Sequence, residues 1–334
     1  MGRPEVSAQC DATVDVFDLF TPTGAMALAV VVKQLFGFQR DGTLFRRRGA
    51  EIRPIDIPWP EAKSVMLPSD LFLFKPGADV VVAGTAVAPR EGVKELDVGV
   101  RVGPVSKRLR VFGPRVWYEG ALGMSLSPPQ PFHRLPLMWE HAWGGLDTSN
   151  PKKLASEPRN PDGTGVASDP GALKHQPGPQ IEDVDEPIRS SRTKPRPAGV
   201  AAIGPGYEPR LGYAGTYDQR WQDERMPLPP VDFDMRFNQV ATPDLVVPGF
   251  LRGGEPVELV NIGAAGVVQF SLPRLAFDVT AATDSGSLTY RPVLDTVVLR
   301  PDEEQLELTY RSSVPLPRGV NRVRQVLVFE ERVS

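Results

Sequence analysis

The chain has 334 residues, 41% hydrophobic and 24% charged, with a formal net charge of −3. A chain of this length buries roughly 75% of the surface it exposes when unfolded, so its core needs no metal or disulfide. The charge balance excludes a broadly basic nucleic-acid binder, the single cysteine, Cys10, excludes an internal disulfide, and 36 prolines with 31 glycines point to short strands joined by turns and long ordered loops.

In chain order, the N-terminal residues lack a basic stretch followed by an apolar core, so no secretory signal is expected. The most apolar window, residues 24–38, is interrupted by Lys33 and Gln34 and falls short of the ~20 apolar residues of a membrane helix. A cytoplasmic protein without stable membrane association is the expectation. Residues 26–36 read as a strand, Arg40-Asp41-Gly42 as a turn and 43–46 as the returning strand. Arg46, Arg47 and Arg48 read as the solvated end of that hairpin. Strands are expected over 79–87, 95–102 and 109–117, spaced as an antiparallel meander. Val98, Val100 and Val102 alternate with Gly99 and Arg101, which implies one buried face.

The middle of the chain is different. Between residues 150 and 209 apolar periodicity almost vanishes, so this stretch is either partly disordered or an extended arm packed on its neighbours. Thr216 opens T-Y-D-Q, a capping-box pattern that predicts a helix to about Arg225, ahead of Pro227. A helical turn is expected over 234–239. Strands resume over 257–261, 267–272, 276–280, 287–292, 296–300, 305–310 and 322–329, with Pro301-Asp302-Glu303 as a hairpin turn. Leu306, Leu308 and Tyr310 alternate with Glu307 and Thr309, the pattern of a strand with one face in the core and one in water. The fold expected is mainly β, an antiparallel sandwich or distorted barrel with a long irregular Pro/Gly-rich insertion and a few short helices. One domain is expected over 12–330: β-rich over 12–124, irregular over 125–250, β-rich over 251–330.

Catalytic and metal-binding patterns are thin. His133, His141 and His175 are not spaced with one another or with Cys10 as a zinc site requires. Glu140-His141, between Trp139 and Trp143, is the best acid–base candidate, set against a structural polar pair among aromatics. The acidic run Glu182, Asp183, Asp185 and Glu186 lacks the glycine and ligand spacing of a calcium loop and reads as a solvated loop. Gly253-Gly254 leads into Glu255 and a strand, not into the Lys-Ser/Thr of a phosphate loop. No enzyme activity, cofactor or metal is assigned.

Aromatic and arginine side chains in loops remain. Trp139, Trp143, Tyr207, Tyr213, Tyr217 and Trp221 lie close in sequence to Arg210, Arg220, Arg225, Arg236 and Arg252. Trp, Tyr and Arg are the residues enriched at interface hot spots. The competing reading is that the aromatics fill a small core while the arginines pair with Asp218, Asp223, Glu224 and Glu255. The residues assigned to partner contact are Trp139, Glu140, Trp143, Tyr213, Tyr217, Asp218, Trp221, Arg225, Arg252 and Glu255.

An ordered series of segments carries a resemblance: P-S-D-L-F-L-F-K-P-G-A-D-V-V-V-A-G-T-A from Pro68, V-F-G-P-R-V-W from Val111, P-F-H-R-L-P-L-M-W-E-H-A-W-G-G-L-D from Pro131, P-A-G-V-A-A-I-G-P from Pro197, A-G-T-Y-D-Q-R-W from Ala214, L-R-G-G-E-P-V-E-L from Leu251 and P-D-E-E-Q-L-E-L-T-Y-R from Pro301. Together they resemble a bacterial family of unknown function often encoded beside type VI secretion spike genes. Pro114 stands where that family commonly has Asp. The resemblance implies an adaptor or chaperone that joins a toxic effector, or a PAAR-type spike-tip protein, to the secretion spike, with no catalytic residues to carry over. A glycan-binding module or a glycan-active hydrolase is the alternative; the first requires coplanar exposed aromatics, the second a pair of spaced carboxylates.

Overall fold

Long runs of valine, leucine and alanine build the centre of the molecule because β-branched and apolar side chains suit a pleated surface that is buried. The computed structural model describes residues 4–21, 23–120, 123–284, 286–315 and 323–331. Three sheets dominate. In the largest, the strand order is Val246–Pro248, Gly77–Val82, Val293–Arg300, Gln305–Pro315, Met26–Phe38 and Thr13–Phe20, with Leu44–Arg47 folded back on Met26–Phe38. The second runs Ile181–Asp183, Val105–Phe112, Glu95–Val102, Pro256–Val260 and Val267–Ser271, antiparallel throughout. The third runs Glu5–Gln9, Val323–Glu331, Ala276–Thr283 and Gly286–Tyr290. Each ends in two edge strands, so the expected mainly β class holds as packed open sheets and not as a closed barrel.

One core joins the three sheets. Leu28, Val30 and Val32 share one buried cluster with Val98, Val100 and Leu259 of the second sheet and Phe277, Val279 and Val326 of the third. Each such side chain contributes about 1.5–3 kcal/mol by leaving water. The irregular middle joins the same core through residues 198–203, where the Val82 N–H donates to the Val200 carbonyl at 2.9 Å. Residues 150–209 are therefore the extended arm packed on its neighbours, not a separate unit.

Several expectations need correction. The strand expected over 79–87 breaks at Ala83-Gly84 into Gly77–Val82 and Thr85–Val87, which belong to different sheets. The meander is likewise divided: only the hairpin of Glu95–Val102 and Val105–Phe112 is a local pair, and Gly77–Val82 runs parallel to the distant Val293–Arg300. Two strands before residue 26, Glu5–Gln9 and Thr13–Phe20, were not anticipated. The arginine hairpin end is partly tied down, with Arg46 gripping Glu330 through two hydrogen bonds of 2.6 and 2.7 Å. The main error concerns Glu307 and Thr309, which are buried rather than solvated. A strap over residues 50–76 covers that face of the sheet and supplies polar partners.

Candidate protein-interaction surface

Lys33, Glu307, Thr309, Arg311, Asp79 and Thr296 share the covered face of the large sheet, and the strap brings Arg53, Asp70 and Lys75 down onto them. The buried cations Lys33, Arg53, Lys75 and Arg311 match the buried anions Asp70, Asp79, Asp295 and Glu307 in number, and each residue is at most 3% exposed. A buried charge is tolerated only when paired and hydrogen-bonded, and here all eight are. Lys33 Nζ lies 2.8 Å from Asp70 and 3.0 Å from Glu307. Arg53 donates to both Glu307 oxygens, at 3.2 and 2.7 Å. Burial opposes the ionised form of Glu307, but Lys33 and Arg53 outweigh it and hold its pKa down at about 2. Arg311 pairs with Asp295 at 2.6 Å and donates to the Asp70 and Phe72 carbonyls of the strap. Lys75 reaches Asp79 at 2.7 Å and Thr296 at 2.8 Å.

Asp79 extends this network to a second segment, still in the interior. Its carboxylate accepts hydrogen bonds from the Gln239 side chain and the backbone N–H groups of Val240 and Ala241, at 3.0, 2.9 and 3.2 Å. That clamps one root of a lobe formed by residues 210–238. The other root is Arg210, buried, which donates to the Ile203 and Phe237 carbonyls at 2.6 and 2.9 Å. The lobe rests on the sheet edge: Met235 packs with Phe17, Leu19, Ala27 and Ala29, and Leu228 lies against Gly24.

Inside the lobe, short-range polar contacts replace a hydrophobic core. Asp218 caps the helix Gln219–Glu224 by accepting from the Trp221 N–H at 2.8 Å. Thr216, expected as the cap, instead bonds Asp232 through its N–H and hydroxyl and holds that carboxylate below its ordinary pKa. The Trp221 indole N–H donates to the Leu228 carbonyl at 2.8 Å, and its ring meets Tyr217 edge-on at 4.7 Å. Arg236 stacks 4.3 Å from the Tyr213 ring centre while bonding Asp234. Gly215 has φ +82°, and a Cβ there would press on Asp232 and Pro230, so this turn requires glycine. The expected helical turn near 234–239 is present as Met235–Asn238. Replacing Asp218 with Ala should cost about 1 kcal/mol locally, seen as faster hydrogen exchange at the Trp221 amide with the melting temperature unchanged.

The crest carries some of the exposed apolar groups, while others, such as Ile55, Leu146 and Leu154, lie elsewhere on the chain. Tyr217 is 55% exposed, Met226 65% and Val231 83%, with Leu211 also exposed. Beside them lies a groove of about 670 Å³ lined by Asp218, Trp221, Arg225, Pro230, Val231 and Asp232, among others. Met226, Val231 and Leu211 gave no distinctive sequence signal, being single apolar residues among prolines, glycines and charges.

Of the residues assigned to partner contact, Tyr213, Tyr217, Asp218, Trp221 and Arg225 come together on the lobe. The others do not join them. Trp139 and Trp143 are buried, so their assignment to a contact surface fails. The Trp139 indole N–H donates to the Ala202 carbonyl at 2.9 Å, its ring packs edge-on against Tyr207, and Asn160 donates to the carbonyls of both tryptophan residues. Glu140 accepts from the Lys63 and Ser64 N–H groups and the Ser64 hydroxyl, which lower its pKa against the opposing effect of burial. Burial pushes the His141 imidazole down, and its Nδ1 lies 3.0 Å from the Pro136 carbonyl. Both side chains pin loops, which is the structural alternative for this pair. Arg252 and Glu255 sit in the turn before Pro256–Val260, where Glu255 accepts the Arg252 N–H at 2.8 Å. Glu182 is not solvated either; it pairs with the buried Arg115.

Among the described residues no cluster of three or more His, Cys, Asp or Glu is placed to hold a metal ion, and no helix is long and apolar enough to cross a membrane. Neither a curated protein nor a solved structure matches the chain. A family model described as an uncharacterized protein conserved in bacteria (DUF2169) matches residues 23–311. That span takes in the strap, the buried ion pairs and the whole lobe, and the chain belongs to this bacterial family.

Proposed function

We propose that the protein is a cytoplasmic, non-enzymatic adaptor of type VI secretion that binds an effector or its PAAR-type spike-tip protein and helps load it on the spike. The observation that carries this reading is the lobe: Leu211, Tyr217, Met226 and Val231 lie exposed on one excursion whose two roots are clamped by buried polar groups. An anchored, desolvation-ready crest is what a protein contact needs, because little conformational freedom remains to be lost on binding. The order of segments described above supplies the link to secretion. Two features favour a protein partner over a glycan. The Tyr217 and Trp221 rings cross at 70° and so form no flat stacking platform, and the Trp221 N–H is already engaged.

The test is co-expression with the neighbouring effector or spike-tip gene, followed by affinity capture and size-exclusion chromatography. The expected result is one joint peak and a cargo that loses solubility when expressed alone. Separate peaks from two folded proteins would overturn the reading.

A further inference from the structure

Where the lobe is not apolar it is acidic. Residues 211–238 hold Asp218, Asp223, Glu224, Asp232 and Asp234 against Arg220, Arg225 and Arg236, five carboxylates to three guanidinium groups. Ion pairing does not remove the difference. Arg220 takes Glu224 at 3.0 Å and Arg236 takes Asp234 at 2.6 Å, whereas Arg225 gives its Nε to the Pro229 carbonyl. Asp218, Asp223 and Asp232 are exposed and form no ion pair among the described residues. The hydrogen bonds they accept come from uncharged donors: the Trp221 N–H, the Gln219 side-chain amide, and the N–H and hydroxyl of Thr216. Asp218 and Asp232 line the crest groove beside Trp221, Pro230 and Val231.

The aromatic rings of the lobe add an independent observation. Arg236 lies over the Tyr213 ring, so one ring already has its cation. Tyr217 is mostly exposed and meets Trp221 edge-on. Among the described residues no cation lies over either of these two rings. The face of a Tyr or Trp ring attracts a Lys or Arg side chain.

We propose that the crest groove receives a basic, amphipathic segment of the partner protein. Its apolar side chains pack on Trp221, Pro230 and Val231, and its Lys or Arg side chains meet Asp218, Asp223 and Asp232 or the open face of Tyr217. Complementary charge at a rim steers the encounter and selects among partners, while the apolar contact supplies most of the affinity. A neutral or acidic segment of equal apolar content leaves the three carboxylates without a counter-charge. The proposal rests on the adaptor reading for the existence of a protein partner and adds the chemistry of the segment recognised.

The test is random-peptide display panned on the purified full-length chain, with the enriched peptide made as a fluorescein conjugate and titrated by anisotropy. The expected peptides carry Lys or Arg among apolar residues. The triple variant Asp218→Asn, Asp223→Asn, Asp232→Asn keeps each acceptor oxygen and removes the charges. It should raise the dissociation constant about tenfold or more and flatten its rise with salt, since rim charges govern salt dependence. Glu91→Gln, an exposed carboxylate outside the lobe, should leave both unchanged. Melting curves confirm that each variant folds. No enrichment, enrichment of acidic or uncharged peptides, or indifference to the triple variant would each overturn the proposal. So would a chain that elutes alone as a dimer and becomes monomeric in Val231→Asp, because a second copy then covers the crest. The two readings fail separately: a basic peptide held at the lobe with no effector co-elution sinks the adaptor alone, and effector co-elution that the triple variant leaves intact sinks the basic segment alone.

Discussion

Glu307→Ala is expected to melt on the order of 10 °C below the wild type, from a stability loss of about 3–5 kcal/mol. The substitution leaves Lys33 and Arg53 charged, buried and short of an anion, and a lone buried charge costs more than the pair ever contributed. Thermal unfolding followed by circular dichroism measures it. Arg220→Ala is the control, because Arg220 and Glu224 form an exposed pair worth about 0–1 kcal/mol. Acid should act on the same residue. The pKa of Glu307 is depressed from 4.5 in the unfolded chain to about 2 in the folded one, so its contribution is complete above pH 4.5 and disappears as pH falls through 2. Glu307→Gln should lose that part of the pH dependence. A melting point for Glu307→Ala within about 2 °C of wild type would refute a structural role for this cluster.

The second large effect concerns the crest. Under the adaptor reading, the double variant Met226→Asp, Val231→Asp should weaken the complex by at least a hundredfold, since a central hot spot contributes about 2 kcal/mol or more and a buried unpaired carboxylate adds its own penalty. Both side chains are mostly exposed in the free protein, so its melting temperature should not change. Isothermal titration calorimetry against the purified partner reads the affinity. An undiminished affinity would move the contact surface away from the crest. Trp221→Ala is a poorer probe, because its indole N–H and ring also hold the lobe together.

Strand periodicity was legible where one face meets the core and the other meets water or a turn. Val98, Val100 and Val102 are such a case, and the core face was read correctly at Leu306, Leu308 and Tyr310 as well. It misled at Glu307 and Thr309 because alternation reports that a face is polar, not that it is wet. The partners that dry it are Asp70, 239 residues from Thr309, and Arg53, 254 residues from Glu307. One local signal was present: Lys33 and Gln34 inside the most apolar window of the chain. A charge in mid-run of a long apolar strand demands a buried partner. The candidate surface was half legible. Composition located the aromatic, arginine-rich stretch around Tyr213–Arg225 but could not separate Trp221, on the lobe, from Trp139 and Trp143, in the interior. That separation is made by Ala202 and Asn160, which receive and bind tryptophan groups from outside the local sequence.

Because Arg210 closes one root of the lobe and Gln239, Val240 and Ala241 on Asp79 close the other, the polypeptide over residues 211–238 is suited to grafting. Closing a loop costs about 0.6 kcal/mol more for each doubling of its length, so a crest of another length or sequence adds little strain to the scaffold beneath. Under the adaptor reading, the sheets, strap and ion pairs can stay constant while the crest is exchanged, and one framework can then be refitted to a different cargo without its core being redesigned.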